Sequence, residues 1–512
     1  MRPLCCGFDE VGRRQNLLPV LLAVLTITSA LLTSGCLWGV VRDSRTGAGL
    51  SGATVTYTDA NGNTGSTTSG PGGLYAFNVA TGPVPAVGSA TFEVTKPGYR
   101  PEITSRPILY NDNPGATLAN PSSFWEVQSF SLFLAPGNIT TAAGQLSFPT
   151  GAVYDKDGNL YFSERGSCRV NKMTAGTGEI SAVAGTGVCG FSGDSGPAAS
   201  AQLNAPSGLA LDPQGNLAIV DSGNCRIRRV DLSSNTITTV AGNGTCGFGG
   251  DGDAATSASL ALSDVAKAPS MFVWSDIAFD ALGNMYIADI FNCRVRGVDT
   301  AGTITTVAGS GPTGFGCGSF SGDGGPATSA RLNGPIAVAA AETGEVFLAE
   351  LGNCRIRMVD AKTGIITTVA GNGICTSSGD EGAARSAGIA NPRGLAIDAA
   401  GNLYISEFRF VGAPPVMTPM DCNIRRVDSQ TGTISTVAGS NTCGFSGDEG
   451  TATSAQINTP ADIALSCNEE VAFAEPLNGR IRVVSGISSG GPAGDFCLWP
   501  LGHQLRESGA GQ

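Results

Sequence analysis

A phrase of the form P-x-G-L-A-x-D-x-x-G-N-L-Y-I-A-D, then N-C-R-I-R-x-V-D, then T-G-x-I-T-T-V-A-G, is repeated six times along this chain. Its landmark, N-C-R or a close variant, falls at Cys168, Cys225, Cys293, Cys354 and Cys422, and the sixth copy reads N-G-R at 478–480. A period of roughly 55 to 70 residues with four β-rich segments marks a propeller or an array, because one such unit cannot bury its apolar face alone. In the second copy the spacing predicts strands at 208–212, 216–221, 225–231 and 236–242, with Gly215-Asn216 as a turn. The sixth copy has three strands and no fourth. An orphan I-T-T-A-A-G at 139–144 precedes the first copy. The orphan is predicted to complete the sixth blade and close a ring, since an open strand edge is a liability.

The glycine content (73 of 512 residues) and the low charged fraction (14%) suit a β-protein with many tight turns. A net charge of −12 argues against nucleic acid or an anionic membrane surface as a direct partner.

The N-terminus reads as a targeting segment. Arg13-Arg14 lead into an apolar run, 17–32, that is short for a membrane span and ends at Thr33-Ser34-Gly35-Cys36. Small residues followed by cysteine resemble a bacterial lipobox, which implies removal of residues 1–35 and lipid modification of Cys36. Ordinary signal cleavage or an uncleaved anchor are the alternatives. A twin-arginine signal fits Gln15-Asn16 poorly. Leu37 lacks the aspartate that retains some lipoproteins at the inner membrane, which favours the outer membrane or cell surface.

Behind this segment, residues 36–136 are expected to form a small β-sandwich. Alternating patterns at 53–57, 75–79 and 92–94 fit half-buried strands, 130–134 a last one, and the Pro- and Asn-rich stretch 100–124 reads as a loop. The segments G-V-V-R-D (39–43), L-S-G-A-T-V (50–55), G-L-Y-A-F (73–77) and T-K-P-G-Y (95–99) resemble the carboxypeptidase regulatory-like domain, of transthyretin-like shape. That resemblance implies a spacer or adhesive unit without catalysis. The repeats at 137–486, carrying I-T-T-V-A-G-N-G (237–244) and G-D-G-G-P-A (322–327), closely resemble NHL repeats. This implies an all-β chain whose larger part is a six-bladed β-propeller. Residues 487–512 are left as a C-terminal tail.

Of 15 cysteines, Cys5 and Cys6 lie in the segment to be removed and Cys36 takes the lipid, leaving twelve. An even number in an oxidising compartment reads as a disulfide framework. Five copies carry a second cysteine after the fourth strand. Third and fourth strands form a hairpin, so the start of one lies beside the end of the other. The predicted bridges are Cys168–Cys189, Cys225–Cys246, Cys293–Cys317, Cys354–Cys375 and Cys422–Cys443. Cys467 and Cys497 are left over and are expected to staple the tail to the sixth blade. Metal binding by these cysteines has no support, since the mature chain has no C-x-x-C and a single histidine, His503, in the tail.

Features present in every copy read as architecture. The acids ending the second strands (Glu164, Asp221, Asp289, Glu350, Glu407, Glu475) are expected to pair with Arg169, Arg226, Arg294, Arg355 and Arg480, with a cation-binding ring as the sharper alternative. The G-D loops at Asp194, Asp251, Asp323, Asp380 and Asp448 lack the alternating acids of a calcium loop. Departures from the repeat are more telling. The stretches 408–421 and 261–274 are expanded, and Asp276 and Asp462 replace the small residue (Gly151, Gly208, Ala337, Gly394) that starts the innermost strand elsewhere. Trp274, Asp276, Arg393, Phe408, Arg409, Phe410 and Asp462 are the candidate ligand-binding residues, the aromatics being read as exposed. The alternative is plain length variation.

No catalytic residue and no cofactor is assigned, although a divalent cation such as calcium remains open. Propellers related to NHL repeats include lactonases and a lyase, but the propeller here has no histidine and there is no G-x-S-x-G elbow with a partner histidine. The expected function is a non-catalytic scaffold for a protein or glycan at the cell envelope, on an exported, membrane-anchored lipoprotein. The alternative is a metal-dependent hydrolase or lyase of the propeller channel that uses Asp276 and Asp462.

Overall fold

The computed structural model describes residues 36–43, 51–59, 64–70, 74–78, 88–96, 102–108, 125–126, 130–132, 137–263, 273–311, 317, 319–412, 418–467 and 470–487. The proposed signal segment, Cys497 and His503 lie outside these residues. The chain divides into two compact units, Met1–Ala135 with Ala175–Gly178, and Pro136–Thr174 with Glu179–Gln512.

The first unit holds two four-stranded sheets. In one, Cys36–Asp43 pairs antiparallel with Leu74–Asn78 and parallel with Trp125–Glu126 and Phe130–Leu132. The other runs Thr64–Thr68, Thr54–Asp59, Gly88–Thr95, Glu102–Ile108. Val41, Val55 and Val94 are fully buried. The last of these strands corrects the expectation of a loop from 100 onward. Pro107 obscures it in the sequence, but Glu102–Ile108 is an edge strand, where a residue without an N–H is tolerated.

The second unit is a six-bladed propeller of antiparallel sheets. Blade 2 shows the plan: Pro206–Leu211, Leu217–Asp221, Arg226–Asp231 and Thr236–Ala241, innermost to outermost. Its first turn is set by the D-x-x-G-N signature. The Asp212 carboxylate accepts from the Gln214 and Asn216 amides at 3.0 and 2.8 Å, while Gly215 takes φ +81°. Blade 6 is built as the sequence predicts. Ile463–Leu465, Val471–Glu475 and Arg480–Val484 are completed by Ile139–Ala143, with Val484 opposite Ile139 and Ile481 opposite Ala143. One blade thus joins both ends of the propeller, so the ring has no free edge.

Contacts between neighbouring innermost strands explain the small residues at their starts. A Cβ on Gly151 would lie 2.1 Å from the Ser207 carbonyl oxygen, and one on Gly394 would lie 2.4 Å from the Ala461 oxygen. All five predicted bridges are present, with Cα–Cα distances of 5.2 to 6.1 Å. Cys467 is also disulfide-bonded.

The loops entering the innermost strands and those joining second to third strands emerge on one face of the ring, called the upper face below.

Candidate functional site

The acids ending the second strands are staples. Each accepts the backbone N–H of the segment entering its own blade: Ser147 to Glu164 (3.0 Å), Asn204 to Asp221 (2.7 Å), Ala261 to Asp289 (2.7 Å), Asn333 to Glu350 (3.1 Å), Ala390 to Glu407 (2.9 Å) and Asn458 to Glu475 (2.7 Å). Their arginine partners are not the predicted ones but those two positions on. Arg228, Arg296, Arg357 and Arg425 stand 3.5, 3.3, 3.9 and 3.6 Å from Asp221, Asp289, Glu350 and Glu407. Blade 1 has Asn171 at this place, donating to Glu164 at 3.2 Å.

The same buried arginines, with Arg482 in blade 6, reach the G-D loops. Arg228, Arg296, Arg357, Arg425 and Arg482 meet Asp194, Asp251, Asp323, Asp380 and Asp448 at 2.9, 2.6, 2.7, 2.5 and 2.8 Å. Those aspartates also accept from fourth-strand threonines, such as Thr239 to Asp194 at 2.7 Å. Burial pushes Asp221 and Asp289 up to about 6, and Glu350 and Glu475 up to about 7, the guanidinium charges offsetting only part of it. A ring of acids so occupied is architecture rather than a cation site.

Of the arginines first assigned to the acids, Arg169 donates to the Thr186 carbonyl at 2.9 Å and the other four stack on aromatic rings. Arg226, Arg294, Arg355 and Arg480 lie over Phe191, Phe248, Phe320 and Phe445 at 3.9, 3.9, 4.1 and 4.0 Å from the ring centroids. These rings are 36–43% exposed. Each sits in the loop leaving one blade and stacks on the next, so the stacks repeat around the upper face. Blade 5 breaks the pattern: Ser377 stands in the phenylalanine's place and Asn423 in the arginine's, and the two hydrogen-bond at 3.0 Å. The paired change within one chain is a sequence signal that spacing arguments overlooked.

Val188, Ile374, Val411, Met420 and Leu477 are exposed on the same upper face. Of the large apolar side chains exposed among the described residues, only Ile180 and Leu282 lie at the opposite turns.

Of the residues predicted for ligand binding, Trp274, Arg393, Phe408 and Phe410 come together, and Asp276 neighbours Asp462, but none of these is an exposed group. Trp274 is 1% exposed and Phe408 fully buried, which corrects their reading as exposed aromatics. The Arg393 guanidinium lies 4.4 Å from the Phe408 ring centroid and 5.7 Å from that of Trp274. Phe410 is half-buried and meets Phe408 edge-on at 5.4 Å. The stretch after Glu407 is not an expanded loop but a lengthened hairpin, Leu403–Val411 with Thr418–Val427, braced by an ion pair between Arg409 and Asp421. Arg165 of blade 1 was not foreseen. It is 8% exposed and donates from Nη1 to the Val273 carbonyl at 3.0 Å. Blades 1, 3 and 5 therefore meet over the channel mouth.

Beneath this mouth lie Asp276 and Asp462, on opposite blades. Each bridges forward to the next blade: Val338 N–H donates to Asp276 at 3.2 Å, and Ala152 N–H to Asp462 at 3.1 Å. Each also accepts from the residue after it, Ile277 and Ile463. Burial raises both carboxyls, Asp462 to about 7, and the charge of Asp462 raises Asp276 further. The pair therefore keeps its protons to higher pH than two exposed aspartates would.

Residues 139–231 match the Teneurin NHL domain family. Human Teneurin-4 is 38% identical over 107 residues, 19% of this chain and 4% of that protein. The Arabidopsis thaliana chloroplastic protein SUPPRESSOR OF QUENCHING 1 is 34% identical over 88 residues, 17% of this chain and 8% of that one. The matches therefore span less than a tenth of either relative. Among solved structures, a Bacteroides thetaiotaomicron protein of unknown function aligns with 85% of this chain and 90% of its own, at 15% identity and a TM-score of 0.46.

Proposed function

We propose that the propeller is a non-catalytic binding scaffold that takes a protein or glycan on its upper face at the bacterial cell envelope. The observation that carries this reading is the segregation of exposed apolar side chains to that face, with Phe191, Phe248, Phe320 and Phe445 backed by arginines. Aromatic rings held rigid by cation–π contacts lose little entropy on binding. The lipobox-like Thr33-Ser34-Gly35-Cys36 and the sandwich that follows support a lipid anchor and a spacer. The test compares capture of envelope proteins and glycans by wild type, a variant with all four phenylalanines changed to Ser, and an Ile180→Ser/Leu282→Ser variant on the opposite face. Capture lost only in the upper-face variant is expected, and equal capture by all three would sink the reading. Incorporation of labelled palmitate, abolished by Cys36→Ser, checks the anchor.

The second reading, a metal-dependent hydrolase or lyase of the channel, is favoured by the Asp276–Asp462 pair. The donors fit a hard cation poorly. Each carboxylate already accepts two backbone amides, and among the described residues no group of three His, Cys, Asp or Glu is placed to hold a metal ion. Calcium takes six to eight oxygens. Elemental analysis beside an Asp276→Ala/Asp462→Ala variant decides: a stoichiometric ion, lost in the variant, would revive this reading.

A further inference from the structure

Five arginines in this propeller, Arg228, Arg296, Arg357, Arg425 and Arg482, are buried within the blades, and each meets a G-D aspartate. Arg165 is buried under a different rule. Its side chain meets a backbone carbonyl, Val273 O, and no carboxylate among the described residues. Burial alone lowers it to about 10. Burying a cation without a counter-charge is costly, so such a group favours an anion placed beside it.

The next residue along, Trp274, carries a buried indole Nε1–H with no acceptor among the described residues. A buried donor left without an acceptor is costly. Arg393 brings a second positive charge to the same spot, its guanidinium facing the Trp274 and Phe408 rings. None of this is inherited from the repeat. Trp274 stands where Pro149, Pro206, Pro335, Pro392 and Pro460 open the other blades. The place of Arg165, just after the second-strand acid, is taken elsewhere by Ser222, Ile290, Leu351, Phe408 and Pro476. Arg393 stands where Thr150, Ser207, Ser275, Ile336 and Ala461 do elsewhere, so three departures from one pattern, on blades 1, 3 and 5, gather around Val273 and Trp274.

We infer that the upper mouth of the channel is a binding site for a small carboxylate anion, held by Arg165 and Arg393 with the Trp274 indole N–H as a third donor. A guanidinium presents two parallel N–H bonds to a carboxylate, and the aromatic walls exclude water from them. The near-complete burial of these side chains restricts the site to a small molecule or a single protruding acid group. The inference does not depend on the upper-face partner, and it needs no metal.

The test is calorimetric titration of the full mature chain with D-glucuronate and with benzoate, using D-glucose as the uncharged counterpart of the first. Saturable binding of at least one acid at millimolar concentrations or below, without binding of glucose, is the expected result. Arg165→Met is expected to weaken it by more than about tenfold, the loss of a charge-assisted hydrogen-bonded pair. Lys156→Met, a surface change, leaves it unaltered. Arg165→Lys keeps the charge without the fork, so intermediate binding is expected, and this variant serves if the methionine variant does not fold. Tighter glucuronate points to a sugar acid and tighter benzoate to an aromatic acid. Binding of neither acid, equal binding of glucose, or undiminished binding by both Arg165 variants overturns the inference.

Discussion

Arg226 and Arg228 stand two positions apart in one strand, on the same side of its sheet, and have different fates. Both guanidinium groups face Phe191, at 3.9 and 4.9 Å from the ring centroid. Arg226 lies at the rim and donates to the Asn243 carbonyl at 2.8 Å, whereas Arg228 is fully buried between Asp221 and Asp194. Removing Arg228 strands a buried carboxylate. Arg228→Met is therefore expected to lower unfolding stability by about 3–5 kcal/mol, against about 1 kcal/mol or less for Arg226→Met. Denaturant midpoints of the two variants check this, and equal losses would contradict the assignment of Arg228 as the structural partner. The R-x-R pattern is plain in the sequence, yet it does not say which arginine sits a pleat deeper. The exposed phenylalanines, such as Phe191 in C-G-F-S-G-D, were likewise present, and only the paired change to Ser377 and Asn423 in blade 5 hints at what they stack on.

At the scale of elements, strand order, blade number and disulfide pairing were legible because each follows from a repeat in register. The orphan strand was legible because one copy lacked what another position had spare. The hairpin at 408–421 was not, since its strands lengthen beyond the repeat and no other copy supplies a template. Blade 6 has no bridged cysteine at the start of its third strand, and blade 5 carries the left-handed turn at Asp421 instead of its cysteine. Cys168, Cys225, Cys293 and Cys354 adopt a left-handed conformation there, φ 49–53°, and each is bridged to the loop leaving its fourth strand. In blade 6 that place belongs to Gly479, φ +57°, where a Cβ would lie 2.7 Å from the Leu146 oxygen. The Cys225→Ser/Cys246→Ser variant is expected to lose about 3 kcal/mol by the loop-closure argument. Gly479→Ala is expected to lose about 1–2 kcal/mol from the left-handed backbone alone, with the close contact adding to it. Urea unfolding of both measures whether bridged and unbridged blades are held by comparable amounts. A neutral Gly479→Ala would mean that the strand joining the two ends is not tightly packed.

For the molecule as a whole, the Asp276–Asp462 pair ties opposite sides of the ring to pH. Both carboxyls are raised by burial, Asp462 to about 7, and Asp276 also by its neighbour's charge. An unfolded aspartate titrates near about 4, so between about pH 4 and about pH 7 the folded ring holds protons that the unfolded chain has released. The sign follows directly. The stabilisation from this pair is fully present below the unfolded value and is lost as pH rises through the folded one. The burial-raised Asp221, Asp289, Glu350 and Glu475 act in the same direction. The propeller is therefore expected to be more stable at about pH 5 than at about pH 8, the reverse of acid denaturation driven by ion-paired surface carboxylates. An Asp276→Asn/Asp462→Asn variant should show a smaller difference between the two pH values, whatever its absolute stability, because the substituted pair no longer titrates. If wild type and variant lose stability in parallel, the pH response belongs to the ring acids rather than to the axis. If wild type instead gains stability across this window, the pair is ionised in the folded protein, and the channel must hold a positive charge close enough to pay for it.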